Sequence, residues 1–450
     1  MKLAKSLLLG SAAGFAAVAG AQAADLPSRK AAPVEYVRVC SAYGAGFFFI
    51  PGTDTCLRVG GRVRAEYTFG ERWSERQDAY GTRALGRIFV DARTATAYGT
   101  LRAFVRYDIN TRTGTYRYGG TNAGTNNFSL NGRLNEGNTA VLDKAFVQFG
   151  PITAGKAQSF FDFYAADLGF SSLRTSDRTV NLLAYTASFG GGFTATLSLE
   201  DGNTAGFNQV LNAAGAAGGR VYQGSVMPDI VASLRVDQGW GSAQLSGAIS
   251  DRGTNRVAVG PVLDSGDDFG YAISGGVKFN LPMLAAGDQL WLQATYADGA
   301  IGYLGYGNAV GYGRAAATIG DFTVDPITGI GTKSTTGFTL AAAFRHYWTP
   351  QIRSDFIASY SELKMGRVTG PVVAGVATTL KGIDPKELIL GANLVWSPVS
   401  GLDIGVEVLY SRVEFSRRIL DIKNVALGAP ARLVKSDDAI AGRLRIQRDF

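Results

Sequence analysis

The chain is poor in the side chains that perform chemistry at neutral pH. Its 450 residues include one histidine, two cysteines and four methionines. With a single imidazole, His346, most acid–base catalysis and most histidine-dependent metal binding are excluded. A cysteine nucleophile is also disfavoured, because His346 lies far along the chain from both Cys40 and Cys56. The sequence therefore predicts no catalytic residues, no metal site and no cofactor.

Long apolar runs and blocks of like charge are missing as well. Beyond residue 23, no uninterrupted apolar stretch is long enough for a transmembrane helix. The formal net charge is +7, yet no run of lysine and arginine forms a patch of the kind that binds nucleic acid, so we expect no nucleic-acid partner. Glycine (59), tyrosine (19) and phenylalanine (25) are abundant, which suits an all-β membrane protein at least as well as a soluble one.

The N-terminus has the pattern of an export signal. Lys2 and Lys5 flank the start of an apolar stretch, and a small-x-small triplet ends at Ala23. This order of basic, apolar and cleavage regions is typical of a secretory signal peptide, whereas an anchoring helix would need a longer apolar run. We expect cleavage between Ala23 and Ala24, so that residues 1–23 are removed and the mature chain leaves the cytoplasm.

Cys40 and Cys56 are the only cysteines in the chain. In an exported protein the compartment is oxidising, so a pair of cysteines favours a disulfide, with two buried free thiols as the alternative. A bridge would close a short loop and stabilise it by about 3 kcal/mol in the chain-entropy treatment. We therefore interpret residues 24–56 as an N-terminal periplasmic segment held by this bridge.

From Cys56 onwards the sequence alternates with a period of two. In CLRVGGRVRAEYTF, one face is apolar and the other carries arginines and a glutamate. Segments of about ten residues with this alternation are typical of membrane-spanning strands. Sixteen such segments occur, at 56–69, 83–94, 100–110, 142–150, 152–158, 180–189, 193–201, 229–238, 242–250, 269–280, 289–299, 336–348, 351–363, 386–398, 402–415 and 439–450.

The links between these segments alternate between short and long. Tight turns such as Tyr98-Gly99 and Gly150-Pro151 alternate with long polar links such as 110–137. An even strand number with this alternation favours a barrel over a soluble sandwich, and the sheet must close because a bilayer tolerates no unpaired edge. Residues 57–450 are therefore predicted to form an all-β fold, a 16-stranded antiparallel transmembrane up-and-down β-barrel, with long loops outside and short turns in the periplasm.

Aromatic residues lie where a barrel meets the membrane interface. Trp348 and Trp396 fall on the apolar parity of their strands beside short turns, as in an aromatic girdle. His346 has the same parity, which indicates an interfacial residue rather than the Ser–His pair that a lipid-hydrolysing barrel needs. The last strand ends at Phe450, which looks like the C-terminal assembly signal that the barrel-assembly machinery reads in outer-membrane barrels.

The mature N-terminus carries the most specific pattern. The block VEYVRVC…YGAG…IPGTDTCLRVGG, together with LDKAFVQFG…TAGKAQSFFDF and the closing strand, resembles the major outer-membrane porins of alphaproteobacteria, the rhizobial and brucella-type family. The resemblance covers essentially the whole mature chain. It implies a homotrimer in the lipid of a Gram-negative outer membrane that passes ions and small hydrophilic solutes passively. It also implies a constriction loop folded into the pore.

Arginines concentrate on the polar faces of the first three strands and the last strand, which closure brings together. In a barrel this face points into the lumen, where like charges so close to each other need counter-charges, anions or water. Arg83 and Arg93 share this parity, but their depth in the pore is not set by the sequence. The predicted basic wall consists of Arg58, Arg62, Arg64, Arg87, Arg102, Arg106, Arg443 and Arg445.

The third long loop, about residues 158–178, is rich in aromatic residues for a solvent-exposed loop. If it folds inward, as the resemblance implies, Asp162, Asp167 and Asp177 face the basic wall across a narrow gap. The resulting transverse field would set ion preference. The alternative is that the arginines are general lumenal residues paired from strand to strand by nearby acids, namely Glu66, Asp91 and Asp108.

The leading hypothesis for function is a passive general-diffusion porin. A solute-selective porin would carry an aromatic slide along the lumen, and none is identified in the sequence. A structural or adhesive barrel would need a plug or large inward side chains, whereas many lumenal positions are small. The preference for anions or cations stays open, because the arginines favour anions and the loop acids oppose them.

Overall fold

The computed structural model describes residues 38–70, 79–114, 137–202, 210–211, 227–251, 257–259, 262–264, 269–307, 309–312, 314–324, 332–373, 376–421 and 432–450. The predicted signal peptide, with its cleavage site at Ala23 and Ala24, lies outside these residues. Within them, no helix is both long enough and apolar enough to cross a membrane. The chain divides into two units, Met1–Cys56 and Leu57–Phe450.

The first unit is organised around a disulfide between Cys40 and Cys56, which confirms the predicted pairing. The closed loop contains a 3-10 turn at Ser41–Tyr43 and a short strand at Phe48–Phe49. Both cysteines and Phe47 are buried together. The amide of Cys40 also donates to the carbonyl of Phe47 at 2.9 Å, so the bridge lies at the centre of a small apolar cluster.

Sixteen long strands follow, and each pairs with the next in antiparallel fashion. Their bounds are β1 Cys56–Gly70, β2 Tyr80–Thr96, β3 Gly99–Gly114, β4 Gly137–Phe149, β5 Ile152–Gln158, β6 Thr179–Gly190, β7 Phe193–Glu200, β8 Asp229–Gln238, β9 Gly241–Asp251, β10 Phe269–Asn280, β11 Gln289–Asp298, β12 Thr336–Thr349, β13 Ile352–Lys364, β14 Lys386–Val399, β15 Leu402–Leu420 and β16 Leu433–Asp449.

The sheet closes on itself through its first and last strands. β16 pairs with β1 from Arg62 opposite Asp449 to Gly70 opposite Ala441. Phe450 extends this pairing, because its amide donates to the Gly61 carbonyl at 3.1 Å. Closure satisfies the backbone groups that an edge strand would leave unpaired. The predicted sixteen-stranded antiparallel β-barrel is thereby confirmed.

Alternation along β1 separates an apolar outer face from a polar inner face. In β1, Val63, Tyr67 and Phe69 are exposed on the outside, while Glu66 and Thr68 are buried on the inside. Exposed apolar side chains in such a band suit a lipid environment. Because successive side chains point to opposite faces, the register of the strands sets the orientation of every residue along them.

Several strands extend beyond the predicted segments at the end that carries the long loops. β2 begins at Tyr80 rather than at 83, β15 ends at Leu420 rather than at 415, and β16 begins at Leu433 rather than at 439. Backbone hydrogen bonds of a paired hairpin form whatever the polarity of the side chains. Pairing therefore continues after the apolar alternation has ended.

Two long connections fold back against the inner face of the barrel. The first inner loop, residues 159–178, joins β5 to β6 and coincides with the predicted constriction loop. The second inner loop comprises the described residues between 299 and 324, after β11. It contains a 3-10 turn at Ile301–Leu304 and a hairpin in which Ala309–Tyr312 pairs with Ala315–Thr318. The inward course of this second loop was not predicted from the sequence.

The second inner loop belongs to an apolar core inside the barrel. Tyr303 and Tyr306 are fully buried, and the ring of Tyr303 lies 4.5 Å from that of Phe161 in the first inner loop. Gly305 has a φ of +81°, and a Cβ there would lie 2.4 Å from the carbonyl oxygen of Thr175. Inward residues of strands between β8 and β16 complete this core. The two inner loops therefore pack on each other and on that side of the barrel.

Candidate functional site

The first inner loop crosses the inside of the barrel and is bound by inward side chains of successive strands. On β9, the amide nitrogen of Gln244 donates to the carbonyls of Phe160 and Asp162 at 3.2 and 3.1 Å. On β11, Gln293 Oε1 accepts a hydrogen bond from the Tyr164 amide at 2.9 Å. These amide side chains lie inward because they share the polar parity of their strands.

Further along, the loop backbone meets charged side chains. The Gly169 amide donates to Asp355 of β13 at 3.0 Å, and the Phe170 amide donates to Glu407 of β15 at 2.5 Å. Arg443 of β16 donates to the Phe170 carbonyl at 2.6 Å. Charge-assisted hydrogen bonds are about twice as strong as neutral ones. The loop is therefore fixed at its far end, next to the seam between β16 and β1.

A buried ion pair fixes the return path of the loop. Arg174, 1% exposed, contacts Glu387 of β14 through Nε and through an Nη2–Oε1 distance of 3.0 Å. Arg174 Nη1 donates to the Gly305 carbonyl at 3.1 Å, and the Tyr312 hydroxyl donates to Glu387 at 2.5 Å. Burial disfavours the cation, but the charge of Glu387 raises the pKa of Arg174 above its usual value. The pair therefore ties both inner loops to β14.

The inward side chains divide the barrel into a filled side and an open side. On the filled side, Ser246 of β9, Thr295 of β11 and Ser361 of β13 are at most 4% exposed. On the open side, the side chains of Arg62 of β1 and Arg87 of β2 are 28% and 22% exposed. Partly exposed inward side chains therefore follow β1–β4 beside the inner loops, and we call the space along them the open passage. Near the short turns, inward charges of other strands, such as Arg235 of β8, are exposed as well.

Most arginines of the open passage form ion pairs with acids on the same wall. The pairs follow the strand-to-strand alternative, and they involve two acids, Asp143 and Asp449, that were not predicted. Opposite charges in adjacent strands remove the repulsion that a bare row of arginines would create. The pairs are Arg62 with Asp449 (2.5 Å), Arg83 with Glu66 (3.4 Å), Arg87 with Asp108 (2.7 Å), Arg93 with Asp91 (2.7 Å), Arg102 with Asp91 (2.9 Å), and Arg106 with Asp143.

Two residues of the predicted basic wall lie beneath the first inner loop instead of in the open passage. Arg443 and Arg445 are 6% and 8% exposed. Both donate to the Phe170 carbonyl, and the Arg445 guanidinium carbon lies 4.1 Å from the centre of the Phe170 ring. Arg445 also pairs with the buried Glu66 at 2.6 Å. Strand parity alone places these arginines inward, but the loop above them decides that they are covered.

Arg58 and Arg64 form no ion pair with any residue that the structure describes. Arg64 Nε donates to the side-chain oxygen of Gln447 at 2.8 Å. Arg58 is exposed, and its guanidinium carbon lies 5.7 Å from the centre of the Phe89 ring. Arg58 has no hydrogen-bond partner within the described ranges either. Among the residues that the structure describes, its guanidinium is therefore unpaired and exposed beside the open passage.

The predicted loop acids differ in exposure. Asp162 is 8% exposed and accepts hydrogen bonds from the Arg178 amide and from Gln158 Nε2, each at 2.6 Å. Burial raises the pKa of Asp162 to about 7. Asp167 and Asp177 are exposed, although surrounding protein also raises the pKa of Asp177, chiefly by desolvation. Asp162 therefore joins the two ends of the loop through Gln158 and Arg178, whereas Asp167 and Asp177 are accessible to solutes.

Lys144 of β4 was not predicted as a site residue, yet it lies between the wall and the loop. Its Nζ donates to Gln158 Oε1 at 3.0 Å, and Gln158 Nε2 donates to Asp177 Oδ1 at 3.0 Å. The cation of Lys144 partly offsets the rise in the pKa of Asp177. Lys144 shares the inward parity of Phe146 and Gln148, and that parity is the sequence signal that could have found it. Gln158 thus bridges the cation of Lys144 on the barrel wall and the carboxylate of Asp177 on the loop.

His346 lies on the outward face of β12, as its parity predicts. Its ring centroid is 4.5 Å from that of Trp348, and Nδ1 lies 2.6 Å from Asp288 Oδ2. Within the described part of the chain, no serine or threonine hydroxyl forms a hydrogen bond with the His346 ring. The ring therefore sits in an interfacial aromatic cluster with an acidic partner.

Comparison with known proteins identifies the family. A model described as a porin subfamily matches residues 25–439. Porin Omp2b of Brucella neotomae is 33% identical over 316 residues, which cover 67% of this chain and 76% of that relative. Porin Omp2b of Brucella suis is 36% identical over 253 residues, which cover 53% of this chain and 64% of that relative, so this match spans less than two thirds of its length.

The solved structures agree on the fold. The outer membrane channel DcaP of Acinetobacter baumannii matches with a TM-score of 0.57 at 13% identity, over 89% of this chain and 99% of that chain. At this identity the likeness concerns the fold alone. The family match and the Brucella relatives confirm the resemblance to alphaproteobacterial porins. The chain therefore belongs to the porin subfamily, and it is an outer-membrane porin built as a multi-pass β-barrel.

Proposed function

We propose that this porin is a passive diffusion channel for ions and small hydrophilic solutes. The observation that carries the proposal is the open passage along β1–β4, whose inward charged side chains stay partly exposed beside the two inner loops. About sixteen strands enclose enough space for an aqueous channel. A lining of paired charges suits hydrated solutes, because it presents hydrogen-bonding groups without a strong net field.

We further propose that ion preference is set where the first inner loop approaches β4. Lys144 on the wall and Asp177 on the loop share Gln158 as a hydrogen-bond partner, and Asp167 is exposed nearby on the loop. Charged groups that border a narrow passage orient water and act on passing ions in a low-dielectric surrounding. Arg62 and Arg87, together with the other paired arginines of the wall, would contribute a weaker field because their acids are adjacent.

The remaining roles follow from the family and stay proposals. Exposed apolar residues on the outer face of β1 suit contact with outer-membrane lipid and with neighbouring copies in a homotrimer. Phe450, exposed on the closing strand, would be read by the barrel-assembly machinery. Residues 24–56 would lie in the periplasm after cleavage between Ala23 and Ala24. We propose no catalytic activity, because the described contacts of His346 are with Asp288 and an aromatic cluster.

The test is single-channel recording of the purified protein in a planar bilayer under a KCl gradient. Stable ohmic conductance is expected. Asp177→Asn should shift the reversal potential towards anion preference, and Lys144→Gln should shift it towards cation preference. Asp237→Asn on β8 is the matched control, because it removes an exposed inward acid away from the constriction. Absence of conductance would instead favour a structural or adhesive barrel.

A further inference from the structure

Three phenylalanines interrupt the charged lining of the open passage. Phe89 of β2, Phe104 of β3 and Phe146 of β4 all have inward parity, and all are partly exposed. Ring centroids are 6.0 Å apart for Phe89 and Phe104, and 5.2 Å apart for Phe104 and Phe146, with interplanar angles of 22° and 23°. We call these three rings the aromatic ladder. No described residue of the inner loops stacks on it from the lumen side.

Packing against neighbouring residues holds the rings of the aromatic ladder in place. Gly60 of β1 lies against Phe89, and a Cβ there would be 2.5 Å from the ring, so the ring uses the space that the glycine leaves. Phe146 packs against a small apolar cluster that includes Val180 and Leu182 of β6. Nearly parallel rings on adjacent strands cover each other's faces and leave their edges towards the passage. Ring edges carry the positive end of the aromatic quadrupole.

Guanidinium groups flank the ladder. Arg102 lies 5.1 Å from the Phe104 ring and 5.3 Å from the Phe146 ring, and it is held by a two-point contact with Asp91. Arg58 lies beside Phe89, without an acidic partner among the described residues. The patch therefore combines an apolar strip, positive ring edges and a cation that no described acid neutralises. This combination fits a solute with an apolar planar body and one negative group, whereas a sugar would need uncovered ring faces.

We propose that the aromatic ladder with Arg58 is a binding subsite for aromatic carboxylates during their passage. The carboxylate would contact Arg58, and the apolar ring would lie along the edges of Phe89 and Phe104. The inference rests on the proposed channel function and deepens it, because it names a solute class that the passage retains. It also supplies the aromatic strip that a solute-selective porin requires.

The test is block of the KCl current by benzoate, with acetate and benzamide as probes that lack the ring or the charge. Benzoate should lengthen the current interruptions more than either probe. Phe104→Leu should weaken the block by about 2- to 10-fold, as expected for loss of an aromatic contact. Arg58→Gln should weaken it by about 10- to 100-fold through loss of a charged hydrogen-bond donor. Arg235→Gln on β8 removes an inward arginine that is paired with Asp237, and it should leave the block unchanged.

The outcomes separate the subsite from the channel. Three results in a conducting pore would overturn the subsite while leaving the channel function intact. They are equal block by benzoate and acetate, block by a maltooligosaccharide instead of benzoate, and no effect of Phe104→Leu or Arg58→Gln on the block. Phe89→Leu provides a second ring deletion if Phe104→Leu does not fold. If the protein conducts no current, equilibrium dialysis of benzoate against the folded detergent-solubilised protein tests the subsite independently, and absence of binding refutes it.

Discussion

The ion pair between Arg174 and Glu387 should control whether the first inner loop stays in place. Both side chains are at most 1% exposed, so Arg174→Met leaves the Glu387 carboxylate buried without its cation. Loss of one partner of a buried pair costs about 3–5 kcal/mol. The other hydrogen bonds of the loop contribute about 1 kcal/mol each where both groups are neutral and about 1.5–3 kcal/mol where one is charged, so the substitution costs as much as about two or three of them. We expect a lower unfolding temperature and a population of channels with larger, fluctuating conductance.

The assay combines thermal unfolding in detergent with single-channel recording. Arg235→Met is the matched control, because the pair of Arg235 with Asp237 at 2.7 Å is 36% and 54% exposed and should contribute at most about 1 kcal/mol. Adding Glu387→Gln to Arg174→Met should recover most of the loss, since the unpaired charge is then removed. If Arg174→Met matches Arg235→Met in both measurements, the buried pair does not hold the loop and the reasoning is refuted.

Three further predictions concern the inner loops. Burial raises the pKa of Asp162 to about 7, so the folded loop binds a proton more readily than the unfolded chain, and its stability falls as pH rises towards 7. Current fluctuations should therefore increase between pH 5 and pH 8. Asp162→Asn should weaken that dependence without abolishing it, because the pKa of Asp177 in the same loop is also raised. Gly305→Ala places a methyl group against the Thr175 carbonyl at positive φ and should lower the free energy of unfolding by about 1–3 kcal/mol, measured by denaturant titration, with no effect expected if the loops are not in contact. Glu66→Gln leaves Arg445 buried without its carboxylate and should cost about 3–5 kcal/mol; an unchanged unfolding midpoint would contradict this.

The number of strands, the parity of their side chains and the disulfide could be predicted from the sequence. A period of two fixes which residues share a face, and alternating short and long links fix an up-and-down order, so parity alone assigns Arg62 and Phe89 to inward positions. The ends of the strands were harder to predict. Backbone pairing in β15 and β16 continues beyond the apolar alternation and leaves no signal in side-chain polarity.

The sequence by itself determined that arginines line one wall of a closed barrel. Only the tertiary structure decided which of them are paired, which are covered and which stay exposed. Register places Asp108 opposite Arg87, the first inner loop covers Arg445 and leaves Arg58 exposed, and Lys144 meets the loop through Gln158. The environment of each arginine depends on contacts between residues far apart in the chain, because the path of a loop is set by the side chains that it contacts across the barrel. The parity of a residue along a strand, in contrast, is a local property of the backbone.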